Sequence, residues 1–266
     1  MGRNLTRDAV GHGLALSNLE VKGATVRTLL TILLLILILF GFFQLNGQAA
    51  NLHYVTSGAP GEIVYAAAFD GFPDEWEQYN ERRVAEVADG VLRLSNSEAN
   101  NGSYSVAKQR FADFDLTFDA RAVTGSENNG YGVIFRLQDR RNYYLFEVSS
   151  DGYYRVARVV AEDVRELSTW IESPLVNTGI GAANRLRVVA RGDQFEFFIN
   201  GERAQVCIPN NPDAQSTFLM DTCIDGQMLD TLTDATIAQG QIGAVIETFD
   251  ASGVTVEFDN LVVLGA

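Results

Sequence analysis

The chain has 266 residues, 47% of them hydrophobic, and a formal net charge of −14 at pH 7. This is the composition of a folded chain, and its acidity argues against nucleic acid, whose phosphates need a basic surface. The length fits one large β domain or two small ones, and no internal repeat is evident.

Residues 1–27 carry Arg3, Arg7, Lys22 and Arg27 against two acids. The uncharged run that follows, "TLLTILLLILILFGFF" at 28–43, is extended by Leu45 and bounded by Arg27 and Asn46. That is close to the roughly 17 residues that a membrane-crossing helix needs. No Lys or Arg follows until Arg82. The charge asymmetry predicts a single-pass protein of the cell membrane. Residues 1–27 would lie in the cytoplasm, 28–46 would form a transmembrane signal anchor, and the rest would lie outside the membrane. The competing reading is a signal peptide cleaved near Gly47-Gln48-Ala49, which exports the remainder equally well.

Residues 47–62, "GQAANLHYVTSGAPGE", are small, polar and interrupted by Gly-Ala-Pro-Gly, and read as a linker. From Ile63 to the end the dominant period is two, the pattern of half-buried strands. Phe114, Leu116, Phe118 and Ala120 alternate with Asp113, Asp115, Thr117 and Asp119, and Phe195, Phe197 and Ile199 repeat the pattern. Asp89-Gly90, Asp151-Gly152 and Asn200-Gly201 each separate two alternating runs, a hairpin signal. About a dozen strands and no long helix after residue 46 predict an all-β sandwich, barrel or jelly roll.

In "GVIFRLQDRRNYYLFEV", residues 132–148, Val133, Phe135 and Leu137 share one strand face, as do Tyr144, Phe146 and Val148 on the next strand. Arg136 and Glu147 are out of phase with them, on adjacent strands and directed away from the core. They read either as a cross-strand ion pair on a solvated sheet or as part of a binding groove. Tyr143 shares the alternation of Glu147.

The interval 205–240 breaks the rhythm and reads as a long loop. It holds the only two cysteines, Cys207 and Cys223. Their 16-residue spacing suits one disulfide in an oxidising compartment, with two buried thiols as the alternative. The only histidines, His12 and His53, precede the strand region, so that region lacks a Ser-His-Asp or Cys-His site.

In order, "FDGFPDEWEQY", "VADGVLRLSN", "FADFDLTFDARA", "GYGVIFRLQDRRNYYLFEVSSDGYYRVARV", "NRLRVVARGDQFEFFINGERA", "GQIGAVIE" and "VEFDNLVVL" resemble the concanavalin A-like lectin/glucanase superfamily. They are similar in particular to bacterial laminin-G-like domains labelled family-16 glycoside hydrolase or 3-keto-disaccharide hydrolase. The resemblance covers about residues 63–266. It implies a jelly-roll sandwich of two antiparallel sheets whose concave face holds sugars or proteins. On that face Arg136, Tyr143 and Glu147 would be joined by Tyr153, Arg155 and Trp170, aromatic rings for stacking and charges for hydroxyls. Relatives also hold a structural Ca²⁺, for which Asp259 in "EFDN" and Asp70 in "FDG" are the corresponding acids. The alternative is that both are turn or edge residues bonded to backbone.

The E-x-D-x-x-E strand pattern of family-16 glucanases is absent. Paired carboxyl groups are the usual need of glycoside hydrolysis, so no catalytic residue is assigned. The 3-keto-disaccharide hydrolases have no comparably sharp motif against which to test the chain. The expected function is therefore a membrane-anchored, lectin-like domain that binds a glycan or a cell-envelope protein. The alternatives are an anchored glycoside hydrolase of the 3-keto-disaccharide type and a structural subunit of a membrane complex.

Overall fold

The computed structural model describes residues 28–41, 55–71 and 75–266. The chain divides into two compact units, Met1–Tyr54 and Val55–Ala266. In the first, residues 28–41 form a helix. At about 1.5 Å per residue it falls short of the ~30 Å hydrocarbon core of a bilayer. Among the described residues no helix is long and apolar enough to cross a membrane. Residues 42–46 of the expected anchor, the leader 1–27 and the candidate cleavage site at 47–49 lie outside the described residues.

The second unit is a two-sheet β-sandwich. One sheet has seven strands in the order β1 (Val55–Thr56), β6 (Asn101–Phe111), β20 (Gly240–Thr248), β8 (Gly130–Asp139), β9 (Asn142–Ser149), β10 (Tyr153–Val160) and β11 (Asp163–Glu172). The other has ten. Eight run in the order β14 (Glu202–Ala204), β13 (Gln194–Ile199), β12 (Ala183–Arg191), β7 (Phe114–Thr124), β21 (Val254–Leu264), β5 (Val91–Asn96), β4 (Arg83–Ala88) and β3 (Tyr79–Asn80). In addition β2 (Ile63–Ala67) pairs with β21, and β19 (Leu232–Thr233) with β13. All pairings in these sheets are antiparallel except β1 with β6. Because β1 is paired, the latter part of the expected linker belongs to the folded unit.

All three hairpin signals hold: Asp151-Gly152 lies between β9 and β10, which pair antiparallel, and at the other two sites two successive residues take positive φ. Asp89 and Gly90 (φ 55° and 78°) connect β4 to β5, and Asn200 and Gly201 (φ 53° and 91°) connect β13 to β14. This backbone matches the twist of the flanking strands and favours Asn-Gly and Asp-Gly.

Alternating residues from both sheets meet in one core, which includes Phe114, Phe118, Phe135, Tyr144, Phe146, Phe195, Phe197 and Phe258. Phe135 stacks on Tyr144 at 5.2 Å between centroids and meets Phe195 edge-on at 5.5 Å. Burying each such side chain contributes about 1.5–3 kcal/mol. A second buried cluster comprises Val106, Ile134, Leu137, Leu145, Ala157 and Val245, with Tyr104 and Tyr143 packed against it. All of these come from the seven-stranded sheet and alternate with core residues, so they lie on its outer face.

Two expectations for β8 are overturned here. Leu137 belongs to the outer cluster and not to the core. Arg136 does not point to the outer face: it is only 1% exposed, and its guanidinium lies 4.8 Å from the ring of Phe195, a core residue of the opposite sheet. The cause is a β-bulge. Gln241 pairs with Leu137 and Gly243 with Ile134, so Phe135 and Arg136 together stand opposite Ile242. Arg136 takes φ 50°, and the inserted residue reverses the strand's phase. Its guanidinium donates to the carbonyls of Ala112 (2.8 Å), Gly192 (2.7 Å) and Ile237 (2.9 Å). Arg136 thus ties together three connections at one end of the sandwich, and it makes no cross-strand pair with Glu147.

The interval after β14 is more ordered than a loop. Its two short hairpins are β15 (Val206–Pro209) with β18 (Gly226–Leu229) and β16 (Phe218–Leu219) with β17 (Thr222–Cys223). A disulfide joins Cys207 to Cys223, as the spacing predicts. The excursion lies against β11, the terminal strand of its sheet. Cys207 N donates to Ser168 Oγ (3.0 Å), Thr169 N donates to Ser216 Oγ (3.1 Å), and Arg165 donates to the Pro212 carbonyl.

Candidate functional site on the outer face of the seven-stranded sheet

The alternation that sends Tyr144, Phe146 and Val148 inward turns Tyr143, Leu145 and Glu147 outward on β9. Unlike β8, β9 pairs with β10 without a bulge, in a register that sets Arg155 directly opposite Glu147. Arg155 is the hub of the face. Its Nε and Nη2 donate to Glu147 Oε2 at 2.9 and 2.8 Å. Its Nη1 donates to Glu166 Oε1 on β11 at 3.2 Å, and its Nη2 also pairs with Glu247 on β20. The guanidinium lies 4.8 Å from the Trp170 ring centroid and 6.0 Å from that of Phe249. The two rings meet edge-on at 6.1 Å.

Three carboxyl groups therefore face one guanidinium. Glu147 is fully buried, and its Oε1 has no hydrogen-bond partner. Burial first, and then the charge of Glu247, raise its carboxyl above the ordinary range despite the opposing pull of Arg155. On Arg155 burial works against the charge, but Glu147 and Glu247 outweigh it and hold the guanidinium protonated. Gly130 on β8 makes room: a Cβ there would lie 3.2 Å from Glu147 Oε1 and 3.4 Å from Trp170 Cη2.

Two hollows flank this cluster. A groove of about 430 Å³ is lined by Tyr79, Arg83, Tyr104, Arg140, Tyr143 and Glu247, among others. The Tyr104 and Tyr143 rings lie 6.4 Å apart, and Tyr79 Oη donates to the Tyr104 carbonyl at 2.8 Å. Burial, with Glu247 and Glu147 nearby, pushes the Tyr143 phenol up to about 12, so it stays a neutral hydrogen-bonding group. On the other side a hollow of about 250 Å³ is lined by Asn128, Ser149, Asp151, Tyr153, Trp170 and Phe249. The arrangement offers aromatic faces, phenol hydroxyls and fixed charges along one sheet surface.

Of the residues singled out from sequence, Tyr143, Glu147, Tyr153, Arg155 and Trp170 line or underlie this face, and Arg136 does not. Glu166, Glu247, Tyr104, Tyr79 and Phe249 also belong to it and were missed. The last four come from strands or loops whose neighbourhood with β9 no local pattern reveals. The two expected metal acids are placed differently. Asp70 is exposed, and Asp259 stands opposite Asp119 and accepts from the Asn260 backbone N at 2.6 Å. Among the described residues no three His, Cys, Asp or Glu side chains converge as a metal site.

Residues 65–263 match the family model of the 3-keto-alpha-glucoside-1,2-lyase-like domain. The chain belongs to this family. The 3-keto-alpha-glucoside-1,2-lyase-like domain thus takes in both large sheets, from β2 to β21. No curated protein matches the sequence. Among solved structures, a protein of unknown function with a galectin-like fold from Bacillus subtilis is 12% identical. That match covers 77% of this chain and 96% of that one, with a TM-score of 0.52. A xylan beta-1,4-xylosidase from Bacillus halodurans is 12% identical over 75% of this chain but only 38% of its own, with a TM-score of 0.51. A carbohydrate binding module, CBM66, from Bacillus subtilis is 16% identical over 70% of this chain and 93% of its own, with a TM-score of 0.48. Likeness at these identities shows the fold alone. The family match and the two-sheet sandwich bear out the resemblance to the concanavalin A-like superfamily.

Proposed function

We propose that the sandwich is a saccharide-binding domain whose ligand lies across the outer face of the seven-stranded sheet, and that residues 28–46 hold it at the outer side of a membrane. One observation carries the binding reading: Arg155, fixed by three carboxyl groups, underlies a face where Trp170 and Phe249 stand on one side and Tyr104 and Tyr143 on the other. Aromatic faces stack on sugar C–H surfaces, and preset charges and phenols hydrogen-bond sugar hydroxyls. Glu147 and Arg155 are buried, so they position this surface and do not react with a ligand. The family's name supports a sugar as ligand.

The test is a glycan array probed with the full-length chain in mild detergent, alongside Tyr143→Ala and Trp170→Ala. A glycan bound by wild type and weakened about tenfold or more by either substitution supports the reading. Binding that survives both substitutions places the site elsewhere. For the anchor, alkaline carbonate extraction should leave the chain with the membrane pellet, and release into the supernatant would refute it.

A second reading, lyase action on a 3-keto-alpha-glucoside, is supported by the family and by Glu247, a partly exposed carboxylate at the groove. Incubation with such a glucoside should then consume it with wild type and not with Glu247→Gln. Unchanged substrate leaves binding as the function.

A further inference from the structure

In this acidic chain most of the described arginines face a carboxylate. Arg83 and Arg140 do not: neither forms an ion pair among the described residues, yet both line the groove of about 430 Å³ beside Tyr79, Tyr104 and Tyr143. The two come from different sheets, Arg83 from β4 and Arg140 from the turn between β8 and β9. Burial and then the charge of Glu77 raise the Tyr104 phenol, and Arg140 and Arg83 partly offset that rise. An adjoining hollow of about 380 Å³ shares Tyr104 and Arg140 and adds Lys108, which also lacks a carboxylate partner among the described residues.

The carboxylates nearby are not paired with either arginine. Glu247 is engaged by Arg155, Asp139 accepts from the Arg141 backbone N (2.8 Å) and the Asn142 side-chain amide (2.9 Å), and Glu77 forms no ion pair among the described residues. Two planar guanidiniums beside aromatic rings suit an acid group carried on a sugar ring, since arginine binds carboxylate and sulfate through paired N–H donors.

We infer that this groove selects an anionic saccharide, its acid group held between Arg83 and Arg140 while the sugar ring packs on Tyr104 and Tyr143. The inference rests on the saccharide-binding reading above and adds the chemical class of the ligand. The acid group is a uronate carboxylate or a sulfate ester.

The test titrates the full-length chain with uronate oligosaccharides of gluco, galacto and manno configuration. Each is paired with its carboxyl-reduced neutral counterpart and with a sulfated neutral counterpart. At least one uronate or sulfated member should bind about tenfold or more tightly than its neutral partner, more weakly as salt is raised. Which of the two does so identifies the acid group. Arg83→Ala and Arg140→Ala, both at exposed positions, should each lower that affinity about 10-fold or more, lower that of the neutral partner several-fold less, and leave the thermal midpoint unmoved. Neutral members binding as tightly as acidic ones, or both variants keeping full affinity, overturns the inference while saccharide binding stands. Binding by no member of any class overturns both.

Discussion

A Cβ on Gly240 would lie 2.2 Å from the carbonyl carbon of Arg136 and 2.4 Å from its oxygen. The two residues are far apart in the chain, yet the glycine at the start of β20 is what lets the β8 bulge close against it. Gly240→Ala would force backbone, not a flexible side chain, to move. The substitution should destabilise the domain by about 2 kcal/mol or more in urea denaturation. Gly71→Ala, where nothing lies within 4 Å, should be near neutral. Equal midpoints for the two variants would sink the explanation of the bulge.

Arg136 itself should behave as a structural residue. Arg136→Met leaves the buried Ile237 carbonyl and the part-buried Ala112 and Gly192 carbonyls without their donor. An unmet buried acceptor costs about 1–3 kcal/mol, so a loss of about 2 kcal/mol or more is expected. The gentler Arg136→Lys should lose part of that and keep glycan affinity intact. A fall in affinity with stability preserved would return Arg136 to the ligand site.

Much of the fold is legible because its period-two runs are long and unbroken. β7 and β13 bury every second residue as their sequences indicate. Glu147, Tyr143 and Arg155 could be placed on the outer face because β9 and β10 pair without interruption. Arg136 could not, because its φ of 50° answers to Gly240 on a neighbouring strand, and alternation within β8 carries no trace of that contact. Glu247 and Tyr104 were invisible for a different reason. The order β6-β20-β8 places late and early strands side by side, which local patterning does not encode. The cysteine pair was readable because no other cysteine competes.

Glu147 should make stability depend on pH with a sign opposite to that of an ordinary salt-bridged acid. Its folded-state carboxyl is raised above the ordinary glutamate value of 4.5, to about 7, by burial and then by Glu247. A raised acid contributes stability that is fully present below the unfolded value and is lost as pH rises through the folded one. Asp234 and Glu257, whose values are lowered, act in the other direction and lose their contribution as pH falls. The difference between Glu147→Gln and wild type separates these effects, because glutamine mimics the protonated acid. Thermal midpoints of the two should be closest near pH 4. The variant should gain on wild type as pH rises from about 4.5 to about 7 and then hold a constant lead. A difference that does not vary with pH would mean that Glu147 titrates alike in the folded and unfolded chain, Arg155 offsetting the effect of its burial in full.

The Cys207–Cys223 disulfide should matter both for stability and for the edge of the seven-stranded sheet. It closes a loop of 16 residues' separation, which on chain-entropy grounds constrains the unfolded state by about 3 kcal/mol. The segment that it secures also lies along β11, through Ser216 to the Thr169 backbone and through Pro212 to Arg165. A terminal strand stripped of its cover presents free N–H and C=O groups to other chains. Thiol labelling of the unreduced, denatured chain should find no free cysteine. Replacing both cysteines by serine should lower stability by about 3 kcal/mol and, at high protein concentration, increase self-association detectable by light scattering. Stability lost without added association would mean that the excursion stays seated on β11 through its hydrogen bonds alone. Unchanged stability would show that the loop is already constrained in the unfolded chain and that the disulfide adds nothing to the folded one.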